Sequence, residues 1–293
     1  MNGYRHRFPQ YGTIGLVILL LMETAVFCAQ TDALPNVPWW RITSWATPVC
    51  WWAYILIVDA GIYRRKGTSV LTARRGSFVI QCILSVAFWC LFEAYNRVMP
   101  GWRYLNLESN LSLRLFGYAI SFATIMPGLF LTCELLQSYE FLARARTASF
   151  RWSRGLLIAS VAIGAAFVIA PPFMPENIRG YLWVCVWVGW FFFLEPFNYW
   201  RGAQSIYRDW EHGDWSRTLQ LLAAGAICGF LWEFWNMWAY TKWVYIFFPH
   251  GQGAKFFEMP LVGFLGFLPF ALEYFVMFQF VASSFTRHDT LEI

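Results

Sequence analysis

Charge is scarce in this chain, and histidine is scarcer. Only 13% of its 293 residues are Asp, Glu, Lys or Arg, while 58% are hydrophobic. A soluble surface carries roughly 25–35% charged residues, so a water-exposed globular domain is excluded. The four histidines (His6, His212, His250, His288) all lie outside the long apolar runs. Membrane haem and di-iron sites draw histidines from or near their helices, so a metal redox centre lacks its usual ligands. Seven cysteines are spread through apolar stretches with no CxxC spacing, which indicates neither a disulfide framework nor a zinc site. There is no glycine-rich phosphate loop, since Gly251-Gln252-Gly253 lacks the rest of such a motif. No cofactor and no metal are expected. The net charge of +5 belongs to loops between apolar runs and gives no basis for a nucleic-acid partner.

Long apolar runs dominate instead. A membrane-spanning helix needs about 20 mostly apolar residues. Spans are expected over 11–30, 47–63, 77–96, 115–138, 155–171, 181–200, 218–238 and 259–283. Of the 22 Lys and Arg residues, 15 fall at the termini or in the loops after the second, fourth and sixth of these runs. The positive-inside rule then places both termini in the cytoplasm, which requires an even number of spans. The chain reads as an all-α integral membrane protein of eight transmembrane helices, with a bacterial inner membrane as its expected location.

The two halves resemble each other. Asp59 in VDAGIY matches Glu195 in LEPFNY at an offset of 136, and Glu93 and Asn96 in FEAYN match Glu233 and Asn236 in WEFWN at 140. Trp102-Arg103-Tyr104 matches Trp243-Val244-Tyr245 at 141, and Glu134 matches Glu273 at 139. The landmarks predict two four-helix repeats, 1–150 and 151–293. An even number of spans per unit makes the repeats parallel, related by an axis along the membrane normal.

Seven of the 17 acidic residues fall inside spans: Glu23, Asp59, Glu93, Glu134, Glu195, Glu233 and Glu273. A carboxyl in hydrocarbon is expensive and usually marks a pathway or a site. At about 1.5 Å per residue, Glu93 and Glu233 lie roughly 5–8 Å inside the outer boundary, and the other paired acids about 20 Å or deeper. The repeat thus predicts an outer acidic pair and an inner group of four, with Glu23 as an unmatched structural residue. Asn96 and Asn236 follow their glutamates by three residues, on the same helix face, and are expected to orient the carboxyls. Trp232, Trp235, Trp238 and Trp243 surround Glu233 and Asn236 in sequence. Such a pocket suits an isoprenoid or polyene ligand, because aromatic rings pack against it and stabilise a transient cation.

The second half, WEFWNMWAYTKWVYIFF…FEMPLVGFLGFLPFALEYFVMF, resembles the lycopene cyclase domain of the integral-membrane carotenoid cyclases. That family has a tryptophan-rich helix with an acid, a W-x-Y element, a glycine-containing loop and a Pro…Glu helix, in tandem copies. The resemblance covers about 50 residues of the second repeat and is fainter in the first, at FEAYNRVMPGWRYLNL…MPGLFLTCELL. It implies cofactor-independent, proton-initiated cyclisation by Glu93, Glu134, Glu233 and Glu273. Asp59, Glu195, Asn96, Asn236, Trp243 and Tyr245 would line or orient the substrate. Glu273 after Pro269 and Glu134 after Pro127 would correspond to the family's Pro-x-Glu-Glu acid, although neither position has that spacing or the doubled glutamate. An eighth span also exceeds the family's usual count.

Two other classes fit the same residues. Parallel repeats and intramembrane carboxylates suit a proton-coupled transporter. Aromatic richness suits a non-enzymatic subunit that binds pigment or quinone. The expected partners are the lipid bilayer and a hydrophobic isoprenoid or polyene substrate.

Overall fold

The computed structural model describes residues 6–31, 33–247 and 253–285. His250, Gly251, Gln252 and His288, named above, lie outside the described residues, as do the basic residues Arg5 and Arg287 at the termini. Among the described residues, eight helical segments are long and apolar enough to cross a membrane. Their outward faces carry exposed Leu20, Leu21, Ile83, Leu115 and Val184. Bare apolar faces of this kind would aggregate in water but are the natural surface towards lipid. The fold is that of a multi-pass helical membrane protein.

In chain order, α1 (Gln10–Gln30) leads through the short α2 (Trp39–Thr43) to α3 (Ala46–Lys66). The single turn α4 (Val70–Ala73) precedes α5 (Arg75–Val98), which ends in strand β1 (Trp102–Leu105). Next come α6 (Leu111–Phe122), α7 (Ile125–Ser138) and α8 (Arg154–Ile169), then the short α9 (Glu176–Arg179) and α10 (Trp183–Arg201). The short α11 (Ile206–Glu211) leads into α12 (Ser216–Trp238), which ends in β2 (Lys242–Tyr245). A two-residue hairpin, β3 (Lys255–Phe256) with β4 (Met259–Pro260), precedes α13 (Phe264–Phe285). We call the end of the bundle at β1 and β2 the ladder end and the opposite side the loop end.

The fourth span, expected as one helix, is two. Pro127 has no N–H to bond the carbonyl of Ala123, and its ring crowds that turn. The helix breaks at Ala123–Thr124. The Ser85 hydroxyl enters the break, accepting from Met126 N and donating to Phe122 O. It thereby bridges the two groups that a continuous helix would have joined. Pro196 lies inside α10 without breaking it. The Phe192 carbonyl that Pro196 leaves bare accepts instead from Ser160 Oγ on α8 at 2.9 Å.

Small residues let neighbouring spans meet at backbone distance. A Cβ on Gly15 of α1 would stand 2.9 Å from Ala53 O on α3, and one on Gly164 of α8 would stand 2.2 Å from Phe193 N on α10. Close backbone approach is a main source of attraction between helices in lipid. Gly164→Leu is therefore expected to separate α8 from α10 and cost at least about 3 kcal/mol, at the upper end of overpacking penalties. Thermal unfolding in a mild non-ionic detergent measures it; an unchanged midpoint would count against this packing.

Candidate functional site

The site begins where α5 and α12 stop. Asn96, near the end of α5, accepts at Oδ1 from Gly101 N (2.8 Å) and Trp102 N (3.1 Å), and its Nδ2 donates to Trp102 O (3.0 Å). Asn236, near the end of α12, accepts from Trp243 N and donates to Trp243 O, both at 2.9 Å. Each asparagine mimics a strand partner and folds the chain from helix into strand. The expected Glu–Asn pairing within each helix is not what forms. The amides serve backbone groups that would otherwise be left bare.

The strands so positioned pair antiparallel, Trp102 opposite Tyr245 and Tyr104 opposite Trp243. Because side chains alternate along a strand, these four residues share one face of the ladder. They converge on the outer acids. Glu93 Oε1 accepts from Trp89 Nε1 (3.1 Å), Trp102 Nε1 (2.9 Å) and Tyr104 OH (2.6 Å). Glu233 Oε1 accepts from Tyr245 OH (2.7 Å), whose oxygen in turn accepts from Trp243 Nε1 (2.8 Å). Glu233 is fully buried and its second oxygen, Oε2, has no partner among the described residues. Burial, then the charge of the adjacent carboxyl, holds the Tyr104 and Tyr245 phenols well above the usual tyrosine value. Both remain hydroxyl donors at any physiological pH.

Beside the ladder is a cavity of about 180 Å³. Its wall includes Trp51, Trp89, Trp102, Tyr104, Trp187, Trp232, Trp243, Tyr245, Phe267 and Phe270. Residues of α6, among them Arg114, Tyr118 and Phe122, form one side, while Glu108, Thr241 and Lys242 lie at the polar rim. Lys242 is ion-paired with Glu258. The side of α6 is weakly held, for α6 has no buried residue. Phe122 stacks on Tyr118 and packs against Trp89. Neither Glu93 nor Glu233 is among the lining residues; the indoles and phenols that bind them are. The carboxyls therefore stand behind an aromatic wall.

The inner acids do not form one group. Asp59 accepts from Tyr11 OH (2.6 Å), Ser69 Oγ (2.7 Å) and Leu71 N (3.1 Å), so it ties α1 and the loop after α3 to α3 itself. Glu195 accepts from Ser205 Oγ (2.6 Å), Tyr207 N (2.9 Å) and Asn198 Nδ2 (3.3 Å), tying down the loop after α10. Glu134 is bound by Arg74 at 2.7 Å and Lys66 at 3.2 Å at the loop end, away from the cavity. Glu273 lies one turn below the cavity-lining Phe270, fully buried, with both carboxyl oxygens unpartnered among the described residues. Glu23, expected to be structural, accepts from Trp235 Nε1 at 2.8 Å and so links α1 to α12.

Of the sequence-selected residues, the fold gathers Glu93, Glu233, Trp243 and Tyr245 at one place, with Asn96 and Asn236 holding their strands. It separates Asp59, Glu134 and Glu195, which sit in loop-end contacts. Trp102 and Tyr104 belong to the site as well, and their match to Trp243 and Tyr245 is the sequence signal that points to them. Trp89 carried none, being one more aromatic in an apolar run. No group of metal-ligating side chains occurs among the described residues. The chain matches no protein-family model, no curated protein and no solved structure.

Proposed function

We propose that this protein is an integral-membrane isoprenoid or carotenoid cyclase, built from two parallel four-helix repeats, with Glu93 and Glu233 as its proton-transfer pair. The observation that carries the reading is the aromatic cavity whose W-x-Y walls are hydrogen-bonded to two carboxyls. The proton passes through a wall phenol: the O–H of Tyr104 or Tyr245 breaks as a C–H bond forms at a terminal double bond of the substrate, and the phenol recovers a proton from the carboxyl bonded to it. A second double bond then attacks the cation and closes a C–C bond. The other phenol takes a proton from beside the new cation as it passes its own to its carboxylate, which restores a double bond. The product is an isomer, and one proton returns between the carboxyls before the next turnover. Aromatic faces stabilise the passing cation.

Equivalent contacts support the repeat. Asp59 binds the hydroxyl 10 residues on and the N–H 12 residues on, and Glu195 does the same. The asparagine–strand contacts also recur in both halves. The basic loops favour a cytoplasmic loop end, with both termini there and the ladder outside. Glu134, held by two cations, is assigned a structural role, and Glu273 is left without a step.

Expression in cells that make linear carotenoids or prenyl chains is expected to give a product of unchanged mass and altered retention. Glu93→Gln and Glu233→Gln should each lower its formation at least about 100-fold, the usual range for a lost general acid or base. Unchanged substrate across a broad isoprenoid panel would remove the reading. One observation favours a second reading, a non-enzymatic pigment or quinone carrier: the rings stand between both carboxyls and the cavity. A carrier would bind the panel and return it unaltered.

A further inference from the structure

Three charged residues line the cavity: Glu108, Arg114 and Lys242. Two are engaged elsewhere. Lys242 is ion-paired with Glu258, and the exposed Glu108 accepts from Asn110 N (3.0 Å) and Ser109 Oγ (3.3 Å) within its own turn. Arg114 is half-buried, and its guanidinium has no ion pair or hydrogen bond among the described residues. Tyr118 follows it by four residues on the same face of α6 and also lines the cavity. The Tyr118 ring packs against Tyr104 and Phe122, while its hydroxyl has no hydrogen bond among the described residues. The Arg114 charge acts on that hydroxyl, so the two polar ends are neighbours. Neither residue is enclosed, since both keep part of their surface exposed.

An arginine near a membrane surface ordinarily turns its guanidinium out to water or headgroups. Arg97 and Arg103, exposed and away from the cavity wall, fit that pattern. Arg114 lies along the wall instead. A guanidinium binds an oxyanion through two parallel N–H bonds, and a phenol beside it adds a third donor. Glu93 also acts on the Tyr118 hydroxyl, but the three donors on its Oε1 spread much of its charge. Ligand sites typically join apolar walls to a few polar groups that fix orientation. We infer that this cavity takes a single-chain amphiphile, its apolar chain against the indoles and a phosphate or carboxylate head on Arg114 and Tyr118. The substrate class is then an isoprenoid with an anionic head rather than a pure hydrocarbon polyene. This deepens the proposed function and rests on the same cavity, although it needs none of the proton chemistry. Anionic membrane lipids carry the same oxyanion, so the test separates the two sources.

The test is equilibrium binding of farnesyl monophosphate and farnesol to the full-length protein in phosphatidylcholine nanodiscs, corrected for partition into empty nanodiscs. The phosphate is expected to bind about tenfold or more tightly than the alcohol, the ratio that one charged hydrogen-bonding contact supports. Arg114→Gln should bring the two within about threefold while farnesol binding stays the same, which shows that the cavity is intact. Arg114→Lys should keep part of the preference, because it restores the charge without the fork, and Tyr118→Phe should remove a smaller part. In the native protein the preference should shrink at about 1 M salt, where charges are screened within about 3 Å. Equal binding of the two probes overturns the inference. So does a preference that survives in the Arg114→Gln/Tyr118→Phe double variant, or one that salt leaves untouched. Adding phosphatidylglycerol to the nanodiscs distinguishes the sources. If it weakens phosphate binding equally in the native protein and in Arg114→Gln, it acts through surface charge alone and supports the single-chain ligand. A larger loss in the native protein keeps the oxyanion site but gives it to a lipid headgroup. A clear phosphate preference without any isomerised product leaves this inference standing and removes the cyclase instead.

Discussion

Arg74→Ala is expected to destabilise the protein by about 2–4 kcal/mol, and Glu134→Ala by distinctly less. The difference lies in the charge each change leaves behind. Glu134 is 6% exposed, and Arg74 bonds both of its oxygens at 2.7 Å. Removing the arginine leaves a buried carboxylate with only Lys66, at 3.2 Å, to answer it. Breaking a buried pair from the side that strands a charge costs about 3–5 kcal/mol, and the remaining lysine offsets part of that. Removing Glu134 takes one partner from Arg74 and Lys66, whose side chains are 28% and 38% exposed and can turn to water or lipid headgroups. The Arg74→Ala/Glu134→Ala double variant should therefore be more stable than Arg74→Ala alone. Thermal unfolding of the four proteins in one detergent reads the whole cycle. If Glu134→Ala proved as damaging as Arg74→Ala, the loss would not come from a stranded carboxylate. If Glu134→Ala kept full stability but lost product, Glu134 would regain the acid role that the carotenoid-cyclase resemblance implied.

That residue shows where sequence reasoning stops. The eight spans were legible because hydrocarbon imposes a length and a composition that few other environments demand. Their observed bounds differ from the expected ones by a few residues, apart from the fourth, which breaks in two just before Pro127. The acids were legible as unusual, but their partners were not. Arg74 lies 60 residues from Glu134, and no periodicity links a loop arginine to a carboxyl in another helix. The Asn96 misreading has a similar cause. Helix spacing put Asn96 on the face of Glu93, yet the bare backbone of a strand four residues beyond the helix end competed for the amide and won.

Asp59→Ala and Glu195→Ala should each release the loop that follows their span, at a cost of about 3 kcal/mol. Each carboxyl satisfies three donors, two of them the hydroxyl and backbone N–H lying 10 and 12 residues further on. A donor left bare in the interior costs about 1–3 kcal/mol, and the loop can recover part of that by opening to water. Asp59→Asn keeps one acceptor oxygen but presents an NH₂ to the Tyr11 and Ser69 hydroxyls, so it should fall between alanine and the native residue. Limited proteolysis between residues 67 and 74, and between 202 and 205, follows the release directly, because a freed loop is cut before the bundle unfolds. Under the repeat, the two variants should behave alike: each loop becomes cleavable while the other stays protected. If Glu195→Ala opened its loop and Asp59→Ala did not, the shared spacing would be a coincidence of two unrelated caps. Matched cleavage would give the duplication a physical meaning: a carboxyl kept at the same depth in both halves because each half must anchor its own turn at the loop end. The cavity at the ladder end would then be the place where the halves join, with one W-x-Y strand from each.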